Sequence, residues 1–295
     1  MNLLITGGTG FIGRRFLGTY GRQFDCSIVG IEDFNEFEVD GIKFPFAHSS
    51  FTVKELTEAV AGTDAVLHVA AKRYEASQPM NYYLENIEIS ANLFEACRIA
   101  EVRNIVHLST IGVYGQSDQR PWREDNDANP ETYYGLSKLC VEKLAHIYNR
   151  KYSTKIKNLR LAQVVGMGER AGYMLSVFLE KARNGETIQL WGKGKGRREY
   201  IYIRDVIDAI RCALEHPDVG GVFNIGTGVN ISHRELAEAV NRVFGKGDGI
   251  EFLLNKTEDK SIHLMDIQKA GNELDWRAKW NLDEAFHEIN ASIAS

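Results

Sequence analysis

Near its start the chain runs from an apolar stretch, Asn2-Leu3-Leu4-Ile5-Thr6, straight into Gly7-Gly8-Thr9-Gly10-Phe11-Ile12-Gly13. No other feature restricts the fold as far. A strand that reverses sharply into a helix, here from Gly10 to about Tyr20, needs glycine where the chain turns and where strand and helix touch. Glycines 8, 10 and 13 match a G-x-G-x-x-G spacing, and glycines 7, 10 and 13 a wider G-x-x-G-x-x-G. With a strand before it and a helix after it, the loop reads as a cradle for a pyrophosphate. Free N–H groups and the positive end of the helix would meet that charge. A plain glycine turn is the competing reading, and the two flanking elements weigh against it.

The acidic residue that such a cradle calls for follows in place. Cys26-Ser27-Ile28-Val29-Gly30-Ile31 reads as a second buried strand ending at Glu32-Asp33. A carboxylate roughly 20 residues past the glycines can accept both hydroxyl protons of an adenosine ribose and repels a 2′-phosphate. No arginine follows immediately, so Glu32 argues for NAD over NADP. The plainer reading is an acidic loop after a strand.

Apolar, β-rich runs then alternate with amphipathic stretches: strands over 65–71, 104–110 and 155–165, and a helix over 82–101. This alternation predicts an α/β fold, a Rossmann-type doubly wound parallel sheet covered on both faces, with ligands at the carboxyl ends of its strands. Past about Gly166 the pattern changes, and helix-like segments at 173–185, 232–244 and 283–293 lie between glycine-rich or polar loops. The expected organisation is a dinucleotide-binding domain over 1–165 and a smaller, mixed α+β substrate lobe over 166–295, with a soft boundary. Residues 204–225 are expected to pack back on the first domain.

The 295 residues, 44% hydrophobic and 25% charged, are ordinary for a globular protein with a large core. A net charge of −5 gives no electrostatic ground for nucleic acid or an anionic membrane as partner. Cys26, Cys97, Cys140 and Cys212 are scattered without a Cys-x-x-Cys pair or a His/Cys cluster. That usage fits thiols in a reducing compartment and implies no metal site. No apolar run reaches membrane-spanning length and residues 1–5 read as a strand, so a cytoplasmic location is expected.

Tyr134 and Lys138 stand four apart in Tyr133-Tyr134-Gly135-Leu136-Ser137-Lys138, on one face of a helix. A phenol titrates at about pH 10, too high for a base at neutrality, but a nearby ammonium and a positively charged nicotinamide both favour the phenolate. Lysine can also hold the nicotinamide ribose hydroxyls. Thr110, within Ser109-Thr110-Ile111-Gly112-Val113-Tyr114-Gly115, puts a hydroxyl at a strand's carboxyl end. It can hydrogen-bond the substrate oxygen whose proton Tyr134 takes. Taken singly these are two surface residues and a turn former; in this order they support one another.

With these motifs in view, the chain resembles the extended short-chain dehydrogenase/reductases, the NAD-dependent epimerase/dehydratase group (UDP-glucose 4-epimerase-like) acting on sugar nucleotides. The resemblance rests on residues 6–13, His68-Val69-Ala70-Ala71, 109–115, Tyr134 with Lys138, 160–168, 198–206, Asn224-Ile225-Gly226-Thr227-Gly228 and Asp266-Ile267-Gln268-Lys269. It spans essentially the whole sequence. It implies NAD held by Gly7, Gly10, Phe11, Ile12, Gly13, Glu32, Ala70, Ala71, Tyr134 and Lys138, with Thr110, Tyr134 and Lys138 catalytic. It implies a UDP- or dTDP-linked sugar bound by Thr110, Gln163, Arg198 and Lys256, the arginine gripping the diphosphate through its planar fork. A homodimer through helices around 82–101 and 134–152 is implied as well.

Four positions depart from that family's pattern. Ser49-Ser50 stand where many relatives place an aspartate against adenine. Gln163 replaces an asparagine of the sugar site, and Lys256 replaces a second phosphate-binding arginine, keeping charge but losing the fork. Ile111-Gly112 replace the Asp-Glu pair with which 4,6-dehydratases eliminate water, and neither can transfer a proton. Dehydration is disfavoured. The expected activity is NAD-dependent C4 epimerisation of a UDP-hexose through a transient 4-keto sugar. The alternatives are a reductase or dehydrogenase of a nucleotide sugar or small carbonyl compound, and a non-enzymatic NAD-binding protein.

Overall fold

In strand β1 (Asn2–Thr6), Leu3 and Ile5 point to one face and Leu4 to the other, and all three are buried. Only a sheet covered on both sides accommodates that pattern. The computed structural model describes residues 1–33, 35–169, 173–245 and 249–294, with side chains up to 292. After β1 come α1 (Phe11–Tyr20), β2 (Asp25–Gly30), β3 (Glu36–Val39), β4 (Ile42–His48), α2 (Val53–Val60), β5 (Ala65–His68), α3 (Met80–Ile99) and β6 (Asn104–Thr110). A 3₁₀ turn at Ile111–Val113 leads on to α4 (Tyr133–Lys151), β7 (Lys155–Leu161), β8 (Gln163–Val165), α5 (Met174–Asn184), β9 (Ile188–Trp191), β10 (Arg197–Tyr202) and α6 (Ile203–Glu215). Then follow β11 (Gly221–Ile225), β12 (Asn230–Ser232), α7 (His233–Phe244), β13 (Ile250–Leu253), α8 (Gln268–Glu273) and α9 (Leu282–Ala294).

The main sheet orders its strands β11-β7-β6-β5-β1-β2-β4-β3. Its pairings are parallel except at the edge, where β3 runs antiparallel to β4. From β1 the chain goes to β2 on one side and later returns to β5 on the other. The crevice between those two directions opens at the carboxyl ends of β1 and β5. The sheet is thus the expected doubly wound parallel one, with a single antiparallel strand added at its edge. Asp40 and Gly41, with φ of 50° and 75°, make the tight turn of the β3–β4 hairpin, a pair suited to two-residue hairpin loops.

Leu4, Val66, Ile105 and Ile156 form one cross-strand row, covered by Leu56, Leu93, Phe94 and Val141 of α2, α3 and α4. On the other face Leu3, Ile5, Leu67, Val106 and Leu159 pack with Phe16 and Leu17 of α1 and Ile207 and Ile210 of α6. Each such buried side chain contributes about 1.5–3 kcal/mol.

The single strand expected over 155–165 is two strands broken at Ala162. Its first half, β7, stays in the main sheet, while β8 pairs with β10 and β10 with β12 in a smaller sheet. β11 joins the main sheet beside β7, in register from Gly221↔Lys157 to Ile225↔Leu161. Among the described residues no helix is long and apolar enough to cross a membrane.

Candidate active site

Gly7 takes a φ of 70°, and a Cβ there would lie 2.6 Å from the Ala70 nitrogen. A Cβ on Gly13 would lie 2.4 Å from the Gly7 carbonyl oxygen. No side chain fits at either place, so the end of β1, the start of α1 and the segment after β5 close into one bare cradle. Gly10 caps α1 without a side-chain bond, leaving the helix's N-terminal N–H groups for an anion. The cradle fits a dinucleotide pyrophosphate. Phe11 sits against Gly166 and Gly168, which follow β8, while Ile12 packs on the core and Ala70 and Ala71 are half-buried.

Glu32, at the end of β2, accepts a 2.6 Å hydrogen bond from Thr9 Oγ1. Ser49 is buried and donates to Glu55 Oε2 at 3.1 Å, and Ser50 N–H donates to the same oxygen at 2.8 Å. The backbone bond from Ser50, then the Ser49 hydroxyl, hold the Glu55 carboxyl below its ordinary range. A carboxylate therefore does stand at this turn, brought by α2 rather than by the strand end. The sequence reading missed it, although its capping position three residues after Thr52 was visible.

Thr110 ends β6, and its Oγ1 accepts the Gly112 N–H at 3.1 Å, capping the 3₁₀ turn. Thr132 caps α4 in the same way, accepting from Gly135 N–H at 3.0 Å. A Cβ on Gly135 would lie 2.6 Å from the Gly112 carbonyl oxygen. Two glycines thus let the first turn of α4, which carries Tyr134, close on the turn after Thr110.

Tyr134 lies among tyrosines, with ring centroids 6.0 Å from Tyr83 and 6.4 Å from Tyr74. Burial pushes its phenol up to about 12, the positive charge of Arg73 works against that shift, and Tyr173 and Tyr83 add to it. Lys138 is buried and turned to the sheet, where Nζ donates to the Leu108 carbonyl at 2.7 Å and lies 3.4 Å from His107 Nε2. Burial lowers this ammonium to about 8, and the Glu142 carboxylate opposes the shift. Among the described residues, the cation that bears on Tyr134 in this arrangement is Arg73. Arg73 also faces Glu169, whose carboxyl burial pushes up to about 7. Neither residue stood out in the sequence, because each lies in a loop without a motif.

Behind these groups Glu142 and Arg160 form a buried ion pair at 2.7 Å, and Ser109 donates to Glu142 at 2.5 Å. Gln163 pairs in register with Tyr200, whose buried hydroxyl has no partner among the described residues. Arg198 pairs with Asp259 and donates to the Ser261 carbonyl at 3.1 Å. Lys256 is exposed, its Nζ 5.9 Å from the centre of the Trp191 ring. His233, at the start of α7, is buried with its Nε2 unpartnered among the described residues, and Arg198 and Asp259 are among the charges that bear on it. These orphaned polar atoms around Arg198 are what a polar ligand would satisfy. Among the described residues no group of three His, Cys, Asp or Glu could hold a metal ion.

The family model of the NAD dependent epimerase/dehydratase family matches residues 3–226. A dTDP-4-dehydro-6-deoxyglucose reductase of Escherichia coli is 30% identical over 308 residues, covering 99% of this chain and 97% of the other. A UDP-glucose 4-epimerase of Mycolicibacterium smegmatis is 30% identical over 304 residues, covering 97% of this chain and 96% of its own. The crystal structure of UDP-N-acetylglucosamine 4-epimerase from Bacillus cereus superposes with a TM-score of 0.89 at 30% identity, over 100% of this chain and 97% of that one.

Proposed function

The chain belongs to the NAD-dependent epimerase/dehydratase family, and from that premise we propose that it interconverts C4 epimers of a UDP-hexose. Its relatives are NAD-dependent sugar-nucleotide epimerases, dehydratases and reductases, so the choice among those chemistries falls to the residues around Thr110. The observation that supports the proposal is that Gly135, next to Tyr134, closes on Gly112, two residues past Thr110, and that Ile111-Gly112 offer no carboxylate to eliminate water.

Gly7, Gly10, Phe11, Ile12, Gly13, Glu32, Ala70, Ala71, Tyr134 and Lys138 would hold NAD, which when bound supplies an acceptor and donor of hydride. The Tyr134 oxygen takes the proton of the C4 hydroxyl and returns it. Thr110 hydrogen-bonds that oxygen and keeps it in line with Tyr134. Lys138 holds ribose hydroxyls and adds positive charge beneath the site. Arg198 tethers the diphosphate with Lys256 beside it, so that the 4-keto sugar can turn its other face while remaining bound, and Gln163 lines the sugar. We assign 1–165 with 204–225 to cofactor binding and the rest to the substrate.

We further propose a cytoplasmic homodimer. Leu84 and Ile99 of α3, with Leu136 and Ile147 of α4, are large apolar side chains left exposed on neighbouring helices, and the four cysteines are free thiols.

The test is incubation of the purified protein with UDP-glucose and with UDP-N-acetylglucosamine, followed by proton NMR of the sugar. The C4 epimer should form without lasting change at the NADH absorbance band. A second reading, net reduction of a 4-keto nucleotide sugar, is favoured by the 30% identity to the E. coli reductase. It takes over if no epimer forms while a 4-keto sugar consumes NADH steadily.

A further inference from the structure

Thr6, His68, His107 and Asn158 are register partners across β1, β5, β6 and β7. They form a polar row one pleat beyond the apolar row of Leu4, Val66, Ile105 and Ile156, on the face covered by α3 and α4. All four are buried. Such a row is costly unless each group is paired, and the pairing determines where the protons lie.

Ser90 Oγ donates to the Asn86 carbonyl at 2.6 Å, so at 2.9 Å it accepts from His68 Nε2. Thr6 Oγ1 then donates to His68 Nδ1 at 2.7 Å. His68 is the Nε2–H tautomer. At His107 the order is reversed. A charged Lys138 has only donors, so the Nε2 facing it at 3.4 Å carries a lone pair. Nδ1–H donates to Asn158 Oδ1 at 2.9 Å. Burial keeps both imidazoles neutral, lowering His68 to about 3 and His107 well below its ordinary value, with the Lys138 charge adding to both shifts.

We propose that His107, held as the Nδ1–H tautomer by Asn158, is the positioning residue for Lys138 and sets the pH range over which the cleft holds its dinucleotide. The ammonium has three protons. The Leu108 carbonyl takes one and His107 Nε2 a second, which leaves the third for a ribose hydroxyl. The titratable and charged groups that face it are Glu142 on α4, itself paired with Arg160 on β7, His68 on β5 and His107 on β6. Of these, Glu142 favours the ammonium and opposes its burial. Removing the Nε2 lone pair removes an acceptor that stabilises the charged form, so Lys138 would release its proton at lower pH. The inference rests on the proposed role of Lys138 toward the cofactor.

The test is calorimetric titration of NAD⁺ into the full chain from pH 6 to pH 9.5, for the parent, His107→Phe, His107→Gln and Asn158→Leu. The parent's affinity should fall above about pH 8, where Lys138 loses its proton. In His107→Phe the midpoint should move down by about one pH unit. His107→Gln, which keeps an acceptor for Lys138 and a donor for Asn158, should restore it. Asn158→Leu frees the imidazole to change tautomer and should move the midpoint in the same direction with His107 intact. A folded His107→Phe protein with the parent's midpoint overturns the proposal. If that variant does not fold, an unmoved midpoint in Asn158→Leu overturns it alone. A parent whose affinity is flat with pH overturns the Lys138 role and this inference with it, whereas a titrating parent with unmoved variants overturns His107 alone.

Discussion

Thr9 Oγ1 donates to Glu32 Oε1 at 2.6 Å, tying the glycine turn to the end of β2. The bond orients the carboxylate that is expected to accept the ribose hydroxyls, and it couples the two halves of the dinucleotide cradle. Glu32→Ala should lower NAD⁺ affinity about tenfold, the worth of roughly one charge-assisted hydrogen bond, and should improve NADP⁺ binding by removing a repulsion. Dissociation constants for both nucleotides decide it; an unchanged ratio would refute the assignment of Glu32.

The Tyr134 phenol gives a pH signature. Its charged form is the anion, which burial disfavours, hence the rise to about 12. Without cofactor it should therefore stay protonated through pH 10, and NAD⁺, whose nicotinamide ring is positive, should bring its ionisation down. The phenolate absorbance of the parent minus that of Tyr134→Phe reads this directly. Turnover of Tyr134→Phe should fall about 10²- to 10⁴-fold, the usual share of a positioned acid–base group.

Arg198 reaches both Asp259 and the Ser261 carbonyl, so its guanidinium is already oriented before a ligand arrives. Arg198→Ala should weaken UDP-glucose binding about 10- to 100-fold. Arg198→Lys should recover only part of this, since an ammonium lacks the fork. Equal affinity in parent and Arg198→Ala would remove the diphosphate from this place.

Glu142 and Arg160 are both buried, and Ser109 and Tyr114 complete their surroundings. Glu142→Gln strands a buried guanidinium and should cost about 3–5 kcal/mol of stability. Urea unfolding measures this, and a loss within experimental error would show that water or a rearranged partner reaches Arg160.

The apolar side chains left outside on α3 and α4 predict association. Leu136→Glu with Ile147→Glu should leave monomer stability within about 0.5 kcal/mol, because both positions are exposed. Light scattering should show the parent at twice the chain mass and the double variant at one. A parent already at one chain mass would refute the dimer.

The elements legible in advance are those whose reasons are local. Gly7 and Gly13 are demanded by a strand-to-helix reversal within a dozen residues, and Glu32 by the strand that follows. The β3–β4 hairpin was missed although Asp40-Gly41 is a turn signal, because its strands are short and lie at the sheet edge. The break at Ala162 was missed for a different reason. The apolar run is continuous through it, and only the competing partners β11 and β10 separate β7 from β8.

The sequence by itself determined the α/β class, the cradle at Gly7–Gly13 and the order Thr110, Tyr134, Lys138, because backbone sterics and short-range spacing leave few alternatives there. Only the tertiary structure decided what faces those residues. It placed Glu55 at Ser49, the charge of Arg73 within reach of Tyr134, and His107 with Leu108 beneath Lys138. Those neighbours come from strand register and helix packing, which join positions dozens of residues apart. The protonation of a buried group depends on what its register partners can donate or accept, and no spacing along the chain records that.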